Sequence, residues 1–107
     1  MATPDQVLHI LDALDGTLGL CADLGNWRGA GKYDDLARIL PHAESCHAKC
    51  HFDAEGRMDR DDFVRCLELT VDAGFVGPYT LIYDGPDGDE WAGLDAERQV
   101  VLAYLTA

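Results

Sequence analysis

Apolar residues recur along this chain at two spacings, and the switches between them mark out the elements. Val7, Leu8, Ile10, Leu11 and Leu14 keep three- and four-residue intervals, which predicts one face of an amphipathic helix. Thr3 before Pro4, with Gln6 three residues after the threonine, makes a capping-box start, and Gly16 ends the helix. From 17 to 23 the period falls to two. Leu18, Leu20 and Ala22 share one side and Gly19, Cys21 and Asp23 the other, the pattern of a strand ending in a carboxylate. The run Gly25-Asn26-Trp27-Arg28-Gly29-Ala30-Gly31 is too rich in glycine for a regular element, and helical spacing resumes over 34–40 until Pro41.

A second strand is predicted over 44–52, where Cys46, Ala48 and Cys50 alternate with His47, Lys49 and His51. A turn at 53–56 follows. Asp59 then caps a helix in which Phe63, Val64, Leu67 and Val71 keep helical spacing up to Gly74. The third strand falls at 79–83. After it, Asp84-Gly85-Pro86-Asp87-Gly88-Asp89 leads into a last helix containing Val100, Val101, Leu102 and Leu105.

Alternating helices and strands, joined by connections that permit right-handed crossovers, predict an α/β fold with a parallel sheet in one domain, residues 1–107. Three such strands form a wedge with unpaired outer edges. The 107 residues are 48% hydrophobic, enough for a core, and no run approaches the roughly 20 apolar residues that cross a bilayer. No secretory leader pattern is present, so a cytoplasmic location is expected, with Cys21, Cys46, Cys50 and Cys66 reduced. A net charge of −12 argues against nucleic acid and anionic membrane as partners. It suits divalent cations, although a solvated acidic surface is its plainer meaning.

Asp23 and His47 stand at or near the C-terminal ends of the first two strands, where parallel α/β folds place their chemistry. Together they suit a divalent ion; separately, each residue type is also common there as a turn or hydrogen-bonded structural residue. Three stretches give more context: Cys21-Ala22-Asp23-Leu24-Gly25-Asn26, Cys46-His47-Ala48-Lys49, and the run from Asp72 through Gly77-Pro78-Tyr79 to Asp84-Gly85. In order and spacing they resemble the sugar phosphate isomerase/epimerase family, which has the xylose isomerase-like (β/α)₈ TIM barrel. The chain would correspond to the C-terminal part of such a barrel, from its fifth helix through its eighth.

The resemblance implies a divalent metal, Mn, Co, Zn or Mg, held by carboxylates from strands five, six and eight and by a histidine from strand seven. Asp23 matches the strand-six ligand, and His47, within its His-x-Lys context, matches the histidine. The strand-five glutamate would lie before Met1. Ile82 occupies the strand-eight position, and Asp84 lies on the same face about 6–7 Å further along. Family members move a proton beside a carbonyl with two glutamates while the metal stabilises an enediolate. Without those glutamates the chain is expected to be inactive alone, and a 3-epimerase mechanism is not expected.

Lys49 is the candidate catalytic residue, steadying an alkoxide or substrate oxygen, against the alternative of an ammonium reaching solvent. Trp27 is a candidate for contact with a sugar face, against covering the core. His51 is a further candidate substrate contact, against an exposed turn. Acidic residues at Asp84, Asp87, Asp89 and Glu90 disfavour phosphate, so the expected ligand is a small unphosphorylated carbohydrate or polyol. Two other readings compete: a zinc module built on Cys46, His47, Cys50 and His51, and a non-catalytic half-barrel that self-associates or pairs with a missing N-terminal barrel part. No Gly-x-Ser-x-Gly elbow and no phosphate-binding glycine motif occurs.

Overall fold

The computed structural model describes residues 3–14, 16–17, 19–27 and 29–105. The expected alternation is present as helix α1 (Pro4–Ala13), strand β1 (Leu20–Asp23), helix α2 (Lys32–Ile39), a 3₁₀ turn (Leu40–His42), strand β2 (Ala43–Lys49), helix α3 (Arg60–Asp72), strand β3 (Tyr79–Ile82) and helix α4 (Glu90–Leu105). The fold is α/β, a three-stranded parallel sheet with four helices. Leu18 and Arg28, which the sequence placed in the first strand and the glycine-rich loop, lie outside the described residues.

Local chemistry sets the helix ends. Thr3 and Gln6 make the reciprocal capping box at α1, and the Asp59 carboxylate accepts the Asp62 N–H at the start of α3. Gly74, at φ +76°, lets the chain leave α3 while the Phe75 N–H bonds back to the Thr70 carbonyl. Strands β1 and β2 are shorter than the alternation predicted. Thr17 is used in a turn onto the Leu14 carbonyl, and beyond Lys49 the chain keeps only an isolated antiparallel bridge between Phe52 and Met58.

Strand order is β1-β2-β3, so β1 and β3 are edges. One sheet face, carrying Ala22, Cys46 and Ala48, is sealed by Leu24, Leu36, Ile39, Leu40, Phe63 and Leu67. Full burial of each large apolar side chain contributes roughly 1.5–3 kcal/mol. The opposite face carries Cys21, Asp23, Ser45, His47, Lys49 and Thr80, all partly or fully exposed.

Two helical faces differ from expectation. In α3 the buried stripe is Phe63, Cys66, Leu67 and Thr70, at i, i+3, i+4 and i+7, which leaves Val71 half exposed. In α4 it is Glu97, Val100 and Val101, with Leu102 and Leu105 outside, so a carboxylate lies in a position that periodicity reserves for an apolar residue.

Candidate functional site

Parallel pairing aligns the two candidate ligands. Asp23 is the register partner of His47, and both side chains project from the bare sheet face. The Asp23 carboxylate presents Oδ1 to the Gly25 N–H at 2.9 Å, while Oδ2 stands 3.5 Å from His47 Nδ1. Lys49, two residues along the same strand, brings its ammonium to 3.5 Å from that same Oδ2.

The ammonium is held by neighbouring polar groups on this face. The Lys49 side chain is 13% exposed, donates to Asn26 Oδ1 at 2.8 Å, and stands 3.9 Å from Asp84 Oδ2. Its stem runs across Gly25, where an added Cβ would come within 2.6 Å of Cε and 2.9 Å of Cγ. Glycine at 25 therefore permits the path that Lys49 takes. Asp84, distant from the site by strand spacing, joins it through the reach of this lysine. Ile82 is the register partner of Lys49 and supplies no ligand.

Two donors to one ion at about 2.1 Å in tetrahedral geometry stand about 3.4 Å apart, so the Asp23–His47 spacing fits a shared cation. The number of donors does not complete a site. Among the described residues no group of three or more His, Cys, Asp or Glu side chains converges as metal ligands require. The four-ligand zinc arrangement fails on the same alternation: Cys46 and Cys50 are sealed in the core, whereas His47 lies on the opposite face. Burial pushes both thiols up to about 12, so neither is a thiolate at neutral pH.

The other two candidates sit off this cluster. Trp27 is only 8% exposed and belongs to the core, so packing is its principal role, with an edge lining a shallow cleft shared with Lys32, Tyr33, His51, Asp59 and Asp62. His51 is half-buried rather than exposed, with Nε2 3.5 Å from Lys32 Nζ. The cleft's main feature is a clamp between helix starts. Lys32, at the first residue of α2, gives its ammonium to Asp62 Oδ2 at 2.8 Å, and the Tyr33 hydroxyl donates to Oδ1 at 2.8 Å. That hydrogen bond, ahead of burial, pushes the Tyr33 hydroxyl up to about 12.

Sequence reasoning missed Lys32, Tyr33, Asp62, Asn26 and Glu97. Glu97 had a signal: it lies three and four residues before Val100 and Val101, within the apolar stripe of α4. It is fully buried, with Oε2 accepting the Cys50 N–H at 2.8 Å and Oε1 lacking a hydrogen-bond partner. Burial, partly offset by that N–H, pushes its carboxyl up to about 7. Among the described residues no helix is long and apolar enough to cross a membrane. Compared with known families and with curated proteins, the chain matches no family model and no relative.

Proposed function

We propose that this chain is the C-terminal part of a divalent-metal-dependent sugar or polyol isomerase- or epimerase-like TIM barrel, without isomerase activity by itself. The reading rests on one observation: Asp23 and His47 face each other across adjacent parallel strands at a spacing that suits a shared cation. The ordered motifs around those residues, similar to the isomerase/epimerase family, support it. Mn, Co, Zn or Mg would be held by the Asp23 carboxylate and the His47 imidazole, with the remaining ligands from water or from a segment completing the barrel. Such an ion would polarise substrate oxygens.

The residues of this chain divide the remaining work. Gly25 N–H and Asn26 hold Asp23 and Lys49 in place, and Lys49 supplies positive charge to a substrate oxygen. No glutamate stands at Ile82, so the proton-transfer pair of the 3-epimerases is not reproduced. The ligand is an unphosphorylated carbohydrate or polyol, because Asp84, Asp87, Asp89 and Glu90 would repel a phosphate at the loop after β3.

Asp23→Ala and His47→Ala should each weaken Mn²⁺ or Zn²⁺ binding by about tenfold or more, measured by calorimetry. Parent-like affinity in both variants would remove the basis for the reading. The unpaired edges of β1 and β3 also support pairing with a second copy or with the rest of a barrel. Sedimentation velocity is expected to show self-association of the isolated chain, and a concentration-independent monomer would contradict that expectation.

A further inference from the structure

We propose that the cavity between the loops that follow β2 and β3 binds a small organic cation, an alkylammonium with an apolar body. The cavity measures about 360 Å³, within the range of roughly 300–1,000 Å³ typical of small-molecule sites. It shares no lining residue with the Asp23–His47 pair, so the proposal stands apart from the metal reading. Residues of the 52–56 and 83–89 segments line it together with the first turns of α4, beyond the C-terminal ends of two adjacent parallel strands. Parallel α/β folds carry their ligands at that end of the sheet, on loops that the strands hold in place.

The chemistry of the lining selects one sign of charge. Phe52 and Tyr83 meet edge to face with ring centroids 5.1 Å apart, and the Tyr83 hydroxyl donates to the Pro86 carbonyl at 2.7 Å, which fixes the ring. Helix α4 adds only small residues, Ala92, Gly93 and Ala96. A Cβ at Gly93 would come within 2.3 Å of the Tyr83 ring, so glycine at this helical position seats the ring against α4. The charged residues of the lining are Glu55, Asp87 and Asp89, and no lysine or arginine lines the cavity. Glu55 shares the Arg57 guanidinium, and Asp89 accepts the Ala92 N–H at the positive end of α4. Asp87 enters no ion pair among the described residues. Aromatic faces attract a cation and so do the carboxylates, whereas an anion is repelled by both and a neutral ligand leaves the carboxylates unmatched. The net charge of −12 concentrates cations over the whole surface; the aromatic wall is what distinguishes this cavity from the rest of it.

Butylammonium, butanol and butyrate share a shape and differ in charge, which makes them the probes. Titrated into the full chain at fixed ionic strength and followed by the ring-proton NMR signals of Phe52 and Tyr83, butylammonium is expected to bind about fivefold or more tightly than butanol, and butyrate not to bind. Asp87→Asn should weaken butylammonium about fivefold and leave butanol unchanged. Ala92→Leu, at an exposed helical position, fills the cavity and should abolish binding of both. Butanol binding as tightly as butylammonium, or butylammonium binding unaltered by Asp87→Asn, would overturn the proposal. So would the absence of a saturable shift at the two rings. Shifts that spread over the acidic surface and persist in Ala92→Leu would mean an adventitious counter-ion only, and would equally overturn it.

Discussion

Asp62→Ala is expected to lower the unfolding free energy by about 3–5 kcal/mol, the cost of leaving one partner of a buried ion pair uncompensated. The Lys32 side chain is 7% exposed, and Asp62 is its only carboxylate partner within salt-bridge distance among the described residues. Removing the carboxylate leaves the ammonium beside the His51 imidazole and the Cys66 thiol, neither of which carries a compensating negative charge. The same substitution strips the acceptor from the Tyr33 hydroxyl, whose ionisation should fall from about 12 toward its usual 10.0. Urea denaturation measures the first effect and ultraviolet titration of the tyrosines the second. Lys32→Met combined with Asp62→Leu should recover most of the stability, because the penalty comes from the orphaned charge. A loss below about 1 kcal/mol in Asp62→Ala would show that the pair behaves as a surface salt bridge and that the α2–α3 clamp is misjudged.

Glu97→Gln should change how stability depends on pH, by on the order of 3 kcal/mol across the interval. The carboxyl keeps its proton in the fold up to about pH 7, whereas the unfolded chain loses it near 4.5. The unfolded state therefore binds fewer protons between these values, and stability falls as pH rises from about 4.5 to about 7, remaining lower above that. The Cys50 thiol is the titratable group on the chain segment against it, and it stays protonated throughout this range. Glutamine keeps the oxygen that accepts the Cys50 N–H and cannot ionise, so the variant should match the parent near pH 5 and exceed it at pH 8. Thermal or urea unfolding at the two pH values gives the comparison. An equal difference between variant and parent at both would mean that Glu97 ionises as freely in the fold as in the unfolded chain.

These two positions also mark the limit of reading the chain as a string. Period-two and period-three-to-four patterns marked the helices and the first two strands in order, because burial on one face imposes a spacing whatever the neighbours are. Caps at Thr3 and Asp59 and the stop at Gly74 were legible because each depends on residues within a few positions of one another. Glu97 was not. A carboxylate in an apolar stripe reads as a residue at the helix flank until the backbone N–H at the end of β2 is brought against it, 47 residues away in sequence.

The candidate site divides in the same way. Alternation alone placed His47 and Lys49 on one side of their strand and put Cys46 and Cys50 on the other, while the burial of the two thiols came only with the packed fold. Alternation also brought Asp23 to the end of its own strand. Opposing Asp23 to His47 required the register of β1 against β2, which depends on where the 3₁₀ turn at Leu40–His42 releases the chain and on an irregularity between Leu20 and Cys21.

By itself, the sequence determined the α/β class, the order of the elements, the two faces of the first and second strands, and the caps at Thr3 and Asp59, all of which follow from interactions a few residues apart. Only the tertiary structure decided that Lys49 turns inward to Asn26 and Asp23, that Lys32 and Asp62 meet across 30 residues, and that Glu97 is sealed in the core. The reason is physical. Burial periodicity is a local property of the backbone, whereas pairing between charges depends on which distant segments packing brings within a few ångströms of each other.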